Sequence, residues 1–395
     1  MPAASILRVL QGSAGEDYGR SRGTSRNSTG NQRQGERSKG RFSVLSSVLI
    51  LSSVCLAAVA LCAGPAAGDE APERGSGKPS GQMRMRSFRP GAVWLDTDGN
   101  HINAHGGGVL YEEGTYYSFG EKRGAHASEG INVYSSQDLY NWRYRGLALA
   151  PVDRDPNHDI ARGCIMERPK VLHNQSTDRY VMWFHLELKG KGYSAARAAV
   201  AVSDTVTGPY CFLGSFRPNG NMSRDMTLFK DQDGAAYHLY ASRDNFDMRV
   251  CRLSADFLSS TDEDVVIHRE HREAPALFKR RGRYFLVTSA CTGWKPNAAR
   301  LYTADSIWGP WSSQGNPVQG PKADTTFDSQ STHVLPVAGR EDAFVFMADR
   351  WNPDNLADSR YIWLPVKFDR GRVAIEWLEE WDLSWFDNKR SGTRP

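Results

Sequence analysis

The sequence predicts an all-β protein whose main part is a five-bladed β-propeller, and three observations support this prediction. Five stretches of the chain share one pattern: a polar residue, a short apolar strand, a turn and an aromatic-rich strand. These units recur at roughly 45 to 65 residues, close to the spacing of propeller blades. No amphipathic helix separates them, and a β-sandwich has no reason to begin every unit with a polar residue, so a ring of blades is favoured.

The N-terminal part differs in composition from the rest. Residues 1–42 are rich in Ser, Gly and Arg with few large apolar side chains, which predicts a disordered basic tail. Residues 43–63 carry no charge and have about the 20 residues needed to cross a bilayer core. The basic residues before this run predict a cytosolic N-terminus, and therefore a single-pass type II signal anchor. A cleaved signal peptide is the alternative.

Both interpretations place the remainder of the chain in the secretory pathway, at the Golgi membrane or cell surface, or outside the cell. Residues 64–89 then form a flexible stem. The apolar run holds Cys55 and Cys62, and the luminal cysteines are Cys164, Cys211, Cys251 and Cys291. Four cysteines allow three pairings, and the sequence does not choose among them. Sequons at Asn174 and Asn221 predict N-glycosylation, although such sequons are common by chance.

The predicted propeller covers residues 90–387, and residues 388–395 form a short tail. Hairpin turns within the units are indicated by Glu113-Gly114, Asp233-Gly234 and Arg281-Gly282, because glycine supplies the positive φ that tight hairpins need. The runs on either side of these turns alternate and are rich in Val, Tyr and Phe, as strands are. A third strand and a polar turn follow in the first four units.

The polar residues that begin the five units are the candidate functional residues. We call them the head residues: His105, Glu167, Asp225, Glu273 and Gln330. The first strand of each propeller blade runs beside the central axis, so these residues should converge at one end of it. Three are carboxylic acids, and crowding like charges in a buried place raises a pKa. Glycoside hydrolysis needs such an acid together with a second group across the sugar.

Composition and charge exclude several other functions. The formal net charge of +4 is too weak, and no basic stripe is interleaved with aromatics, so no nucleic-acid partner is expected. The 11 Trp and 15 Tyr residues suit a carbohydrate cleft, since sugar faces pack well on aromatic rings. There is no Cys-x-x-Cys pair and no cluster with metal-ligand spacing, so we expect neither a catalytic metal nor a cofactor.

Several motifs together resemble those of glycoside hydrolase family 43, and within it the exo-β-1,3-galactanase subfamily 24. They are Ala104-His-Gly-Gly-Gly108, Phe119-Gly-Glu-Lys122, Glu167-Arg-Pro-Lys170, Arg224-Asp-Met226, Arg272-Glu-Ala-Pro275, Cys291-Thr-Gly-Trp294 and Thr325-Thr-Phe-Asp-Ser-Gln-Ser-Thr332. The similarity covers most of residues 90–387.

The resemblance implies a role for each head residue. Glu273 would be the general acid, and Asp225 would orient it and tune its pKa. Glu167 is similar to the residue that holds sugar hydroxyls. Gln330 is similar to the proposed water-positioning group of the subfamily. His105 occupies the region where the wider family has a catalytic Asp, and we expect it to contact the substrate.

The resemblance also implies a pocket for the terminal galactose. The residues that match its expected lining are Glu121, Tyr193, Asn245 and Thr292. Trp294 could stack on the sugar face or pack in the core. The expected reaction is exo-acting, inverting hydrolysis of terminal β-1,3-linked galactose from galactan or arabinogalactan-type glycans. The alternatives are another exo-glycosidase of the family, such as an α-L-arabinofuranosidase or β-xylosidase, and a non-catalytic glycan-binding propeller.

Overall fold

The computed structural model describes residues 84–124 and 127–387. Its β-strands form five sheets, one for each blade. The first blade consists of β1 (His105–Glu112), β2 (Thr115–Arg123), β3 (Ser128–Ser136) and β4 (Arg143–Leu149). The second consists of β5 (Ile165–Asn174), β6 (Arg179–Glu187), β7 (Arg197–Ser203) and β8 (Cys211–Phe216). The third consists of β9 (Met226–Lys230), β10 (Ala236–Ser242), β11 (Asp247–Leu253) and β12 (Ser260–His268).

The last two blades complete the ring. The fourth consists of β13 (Arg272–Arg280), β14 (Arg283–Ala290), β15 (Arg300–Ala304) and β16 (Ser312–Gly315). The fifth consists of β17 (Val318–Gln319), β18 (Gln330–Pro336), β19 (Phe344–Arg350), β20 (Arg360–Asp369) and β21 (Arg372–Glu376). Strands that follow each other within a blade pair antiparallel, while the short β17 pairs parallel with β21. Each predicted unit is therefore one blade, and the all-β propeller is confirmed.

The segments before β1 and after β21 are tied together. Phe88 and Trp381 exchange two backbone hydrogen bonds of 2.7 and 3.1 Å, and their rings stack with centroids 4.4 Å apart. They belong to an apolar cluster that also contains Tyr116 of the first blade and Trp363 of the fifth. Burial of these large aromatic surfaces is strongly favourable. The cluster joins the first and last blades, which closes the ring.

Several predicted regions lie outside the described residues: the tail 1–42, the apolar run 43–63, nearly all of the stem and the terminal residues 388–395. Within 84–124 and 127–387, no helix has both the length and the apolar character required to cross a bilayer. The membrane anchor therefore stays a prediction.

Three of the four cysteines that follow the apolar run carry free thiols. Cys164 and Cys251 are buried and Cys291 is partly exposed. Any way of pairing these four cysteines joins at least two of the three free ones, so none of the pairings allowed by the sequence is formed. At the sequon Asn174, the side-chain nitrogen that a glycan would modify is buried and donates to the carbonyl oxygen of Ala255 (2.8 Å). A glycan at Asn174 would have to replace this hydrogen bond, and glycosylation there stays a prediction.

A recurring bulge sets the direction of the head residues. The residue after the head has a positive φ in three blades: 62° at Gly106, 57° at Arg168 and 55° at Ala274. The ladder to the second strand shifts register at each of these places. A β-bulge re-aims the neighbouring side chain. In these three blades the first strand therefore bends just after the head residue, at the end of the propeller axis where the head residues lie.

The glycine run of the first blade has a steric explanation. A Cβ atom at Gly107 would lie 1.8 Å from the carbonyl oxygen of Phe119, and one at Gly108 would lie 2.5 Å from the side chain of Lys170. Neither position can accept a side chain without a backbone or side-chain shift. The Nζ atom of Lys170 in turn donates to the carbonyl oxygen of Gly106 (3.0 Å). The Gly-Gly-Gly motif thus lets the second blade pack against the first at the axis.

Candidate active site

Four of the five head residues line one cavity of about 340 Å³ at the end of the propeller axis: Glu167, Asp225, Glu273 and Gln330. The residues that complete its lining are Gly106, Glu121, Arg123, Arg168, His185, Tyr193, Arg224, Asn245, Gly293, Trp294 and Trp351. The repeat pattern therefore predicted correctly that residues far apart in the chain meet at one place.

His105 does not reach this cavity, and its expected contact with substrate is wrong. Its side chain is fully buried, with Nδ1 3.3 Å from Oδ1 of Asp349 and its ring stacked on Tyr361 at 5.1 Å. The physical reason is its partners on the fifth blade: Asp349 and Tyr361 hold the imidazole away from the cavity, and the backbone of Gly106 lines the cavity in its place.

Glu273 has the properties of a general acid. Its Oε1 accepts a hydrogen bond from Nε2 of Gln330 (2.8 Å), and its Oε2 accepts one from Nδ2 of Asn245 (2.9 Å). Burial, and after it the negative charge of Asp225, raise the pKa of Glu273 to about 7, against the opposing effect of Arg168. The carboxyl can therefore hold a proton near neutral pH, as an acid catalyst must.

Asp225 is fixed beside Glu273 by two donors. Its Oδ2 lies 2.9 Å from Nη2 of Arg168 and accepts a hydrogen bond from the backbone nitrogen of Ala274 (3.1 Å), the residue after Glu273. The same guanidinium also donates to Oε1 of Gln330 and to the carbonyl oxygen of Ser331 (2.9 Å). Arg168 thus connects the second, third and fifth blades at the floor of the cavity.

Glu167 is an ionised carboxylate held by several donors. Its Oε1 accepts hydrogen bonds from Arg123 (2.9 Å) and the hydroxyl of Tyr193 (2.8 Å), and its Oε2 lies 3.2 Å from Nδ1 of His185. Burial alone would raise the pKa of Glu167, but the hydrogen bond from His185 and the charge of Arg123 hold it well below its usual range. The carboxylate is therefore charged at every pH of interest and can accept hydrogen bonds from sugar hydroxyls.

His185 is protonated in this arrangement. Its Nε2 lies 2.9 Å from Oε1 of Glu187, whose other oxygen accepts the backbone N–H of Ala196 (3.0 Å). Burial alone would lower the pKa of His185, but its hydrogen bonds to Glu167 and Glu187 raise that pKa to about 9. An imidazolium between two carboxylates leaves Glu167 fixed in one orientation.

Glu121 lies next to Glu167 in a different protonation state. Burial raises the pKa of Glu121 to about 8; Arg123 opposes this rise and the negative charge of Glu167 adds to it. Its carboxyl contacts Nε of Arg123 (2.7 Å) and the hydroxyl of Ser128. The raised pKa favours the protonated form of Glu121 at neutral pH, whereas Glu167 is ionised.

The other predicted pocket residues are divided between the cavity and its surroundings. Tyr193, Asn245 and Trp294 line the cavity, and Trp294 is 42% exposed at its rim. This exposure excludes the core-packing interpretation of Trp294. Thr292 does not line the cavity, because its hydroxyl is engaged with Lys295 and Asn297 within its own exposed loop. The expected role of Thr292 in lining the galactose pocket is therefore corrected: its hydroxyl stabilises this loop.

One group of side chains has the spacing of metal ligands. Glu167, His185 and Asp225 offer ligand atoms that all lie within 4.8 Å of one another. Nε2 of His185 already pairs with Glu187 at 2.9 Å, and its Nδ1 lies 3.2 Å from Glu167. The guanidiniums of Arg123 and Arg168 already pair with the two carboxylates. This donor set fits an ion-pair network better than a cation site.

Several important cavity residues were not predicted from the sequence: Arg123, Arg168, His185 and Trp351. A signal for some of them was present. The end of the second strand pairs with the start of the first, as His185 does with Glu167 across β5 and β6. Aromatic or charged residues at these second-strand ends, including Trp351 just after β19, therefore belong to the same site.

The propeller and its cavity, with a protonated acid facing ionised and hydrogen-bonding groups, define a glycoside hydrolase. The sequence matches the profile of the glycosyl hydrolases family 43 over residues 106–359. The chain therefore belongs to this family.

Two solved structures show what the chain resembles. A GH43 β-1,3-galactosidase solved with galactodeoxynojirimycin is 49% identical to this chain, with a TM-score of 0.73. The match covers 75% of this chain and 100% of the galactosidase chain. An exo-β-1,3-galactanase from Phanerochaete chrysosporium, solved with β-1,3-galactotriose, is 38% identical. It covers 75% of this chain and 68% of that chain, with a TM-score of 0.70.

A curated relative has a different specificity. The xylan 1,3-β-xylosidase of a Vibrio species is 24% identical over 197 residues, which are 46% of this chain and 36% of that protein. The matched part of the chain thus spans little more than a third of the length of this relative.

Proposed function

We propose that the protein is an exo-acting β-1,3-galactosidase that removes terminal galactose from β-1,3-galactan or arabinogalactan-type glycans. The observation that carries the proposal is the high identity to a β-1,3-galactosidase across that enzyme's full chain, in a protein whose cavity contains a protonated acid. Exo attack is proposed from the resemblance to an exo-β-1,3-galactanase.

In the proposed reaction Glu273 donates its proton to the glycosidic oxygen as the bond between this oxygen and the anomeric carbon breaks. Water adds to the anomeric carbon from the opposite face, which inverts its configuration. Glu167 and Tyr193 hold the sugar hydroxyls. The oxygen of Gln330 already accepts from Arg168 and Trp351, so the amide can orient water through its N–H but is a poor acceptor for its proton. That proton is lost to solvent, and Glu273 is reprotonated from solvent.

The test is hydrolysis of β-1,3-galactotriose labelled at its reducing end by purified residues 69–395. Exo attack releases unlabelled galactose and labelled galactobiose before any labelled galactose appears. Labelled galactose as the first labelled product would contradict exo attack. Glu273→Gln is the matched control, since it removes the acid and keeps the size of the side chain.

The second candidate is a β-xylosidase, which the similarity to the Vibrio xylosidase favours. Galactose carries a hydroxymethyl group at C5 that xylose lacks, so a galactosidase pocket must leave room for it and a xylosidase pocket need not. Comparison of kcat/KM for the aryl β-galactoside and the aryl β-xyloside decides between them. Binding of galactobiose without turnover of either glycoside would instead indicate a non-catalytic glycan-binding propeller.

A further inference from the structure

The amide of Gln330 has a fixed orientation. Its Oε1 accepts a hydrogen bond from the indole Nε1 of Trp351 (3.0 Å) and another from Nη2 of Arg168. Indole and guanidinium nitrogens are donors only, and a carbonyl oxygen has two lone pairs. Both lone pairs are therefore filled, and the amide nitrogen must face Oε1 of Glu273, 2.8 Å away.

The amide of Asn245, on the other side of Glu273, is held less firmly. Its Nδ2 donates to Oε2 of Glu273 (2.9 Å), while its buried Oδ1 has no hydrogen-bond partner within the described part of the chain. Rotation of the Asn245 amide by 180° would bring this oxygen towards Glu273. The side chain of Cys291 hydrogen-bonds with both Asn245 and Glu273, and because a thiol can donate or accept, it can adapt to the rotated amide. Rotation of the Gln330 amide would instead leave the donors of Trp351 and Arg168 facing an N–H group, which is unfavourable.

This difference decides which oxygen of Glu273 can carry the proton. A proton on Oε1 would point at the N–H of Gln330, donor against donor. A proton on Oε2 can be accepted by Oδ1 of Asn245 once that amide has rotated. We propose that Trp351 is a positioning residue that, with Arg168, keeps Gln330 a donor and thereby confines the proton of the catalytic acid to Oε2.

The proposal rests on the proposed function only in taking Glu273 as the acid. The role proposed for Trp351 belongs to its indole N–H. The aromatic ring of Trp351 makes other contacts. The ring lies 5.4 Å from the guanidinium of Arg123 and 6.0 Å from that of Arg168, and it meets Trp294 edge to face at 5.5 Å. Phenylalanine can keep a ring at this place while removing the donor, so the two roles can be separated.

The test is Trp351→Phe, followed through the pH profile of kcat/KM. With one donor lost, Gln330 donates less firmly to Glu273, the carboxylate form is less stabilised and the pKa of Glu273 rises. We expect the basic limb of the profile to move to higher pH by about 0.5 to 1 unit. We expect kcat to fall roughly tenfold, with KM within about twofold of the wild-type value. A residue with only a structural role would not shift this limb upward.

The matched control is Trp311→Phe. It removes an indole N–H that donates to the carbonyl oxygen of Ile307 (3.1 Å), away from the cavity lining, and should leave the limb in place. Trp351→His keeps a ring N–H donor and should restore the wild-type limb. If Trp351→Phe does not fold, Trp351→Leu, which also lacks the donor, takes its place and should raise the limb in the same way. A limb that stays unmoved or moves to lower pH in Trp351→Phe, or that stays raised in Trp351→His, overturns the proposal.

A second readout needs no turnover. Infrared titration of the carboxyl band that disappears in Glu273→Gln gives the pKa of Glu273 directly, and Trp351→Phe should raise it. If the wild-type protein leaves β-1,3-galactobiose intact, the proposed substrate is wrong, but this titration still decides the role of Trp351. If galactobiose is cleaved and the titration is the same in both proteins, only the present inference fails.

Discussion

Asp225 accepts a hydrogen bond from the backbone nitrogen of Ala274, the residue that follows Glu273, at 3.1 Å. The bulge at Ala274, with φ of 55°, presents this N–H to the neighbouring blade. Because Asp225 is fixed in this way, its negative charge stays close to Glu273 and contributes to the raised pKa of the acid. The relationship gives a direct prediction for the pH dependence of the enzyme.

In the wild type, activity should fall as the pH rises through about 7, because Glu273 must be protonated to act and its pKa is raised to about 7. Asp225→Asn removes a negative charge that favours the protonated form. The pKa of Glu273 should then fall, and the basic limb of kcat/KM should move to lower pH, opposite to the shift expected for Trp351→Phe. An unchanged or raised limb would show that Asp225 does not act through the protonation of Glu273.

Glu273→Gln should abolish turnover while leaving the fold and galactose binding intact. Loss of a general acid lowers the rate by a factor of about 10² to 10⁴. The glutamine can still pair with Gln330 and Asn245 after its amide orients, so the cavity should keep its shape. Residual activity above about a tenth of the wild type would place the acid elsewhere. Galactose binding by calorimetry is the control for folding.

Glu121 and Glu167 should respond differently to the same substitution. Glu121→Gln replaces a carboxyl that already keeps its proton near neutral pH, with a pKa raised to about 8. We expect it to bind galactose within about tenfold of the wild type. Glu167→Gln removes a charge that pairs with Arg123 and His185, and it should lose substrate binding as well as rate. Calorimetry with galactose measures the affinity of both variants. Equal losses of affinity in Glu121→Gln and Glu167→Gln would contradict the assigned protonation states.

The repeat in the sequence predicted five blades and four of the cavity residues, because one local pattern recurs at equivalent places on successive inner strands. It could not predict contacts between blades. Arg168 and Gln330 are 162 positions apart, and the hydrogen bond between them depends on closure of the whole ring. The side-chain direction of His105 was also missed, because its partners Asp349 and Tyr361 lie on the fifth blade, more than 240 positions away in the sequence.

The uncharged residues 43–63 behind a basic segment predict that the full-length protein is an integral membrane protein with a cytosolic N-terminus. We expect the full-length chain to stay with the membrane pellet after washing in alkaline carbonate. A variant with several Lys residues introduced into this run is the matched control and should be extracted. Release of a luminal fragment that lacks the apolar run would instead support a cleaved signal peptide.

The stereochemical outcome should be inversion. A retaining reaction needs a carboxylate that bonds the anomeric carbon, with the two carboxyl groups roughly 5 Å apart, whereas inverting pairs stand roughly 6.5–9.5 Å apart to admit water. Glu167 and Asp225 are the head-of-blade carboxylates available besides the acid. The oxygens of Glu167 are engaged by Arg123, Tyr193 and His185, and Asp225 is paired with Arg168. The charge of each carboxylate is thus already paired with a guanidinium, which disfavours a role as nucleophile.

Water is therefore the expected nucleophile, and Gln330→Ala, which removes the N–H that orients it, should lose most of the rate. Proton NMR of the first galactose formed, recorded before mutarotation, measures the outcome. From a β-linked substrate, inversion gives α-galactose first. If β-galactose appears first, the role of Gln330 in positioning water is wrong. A glycosyl-enzyme intermediate on Glu167 or Asp225 would then have to form, and the ion pairs around that carboxylate would have to open when substrate binds.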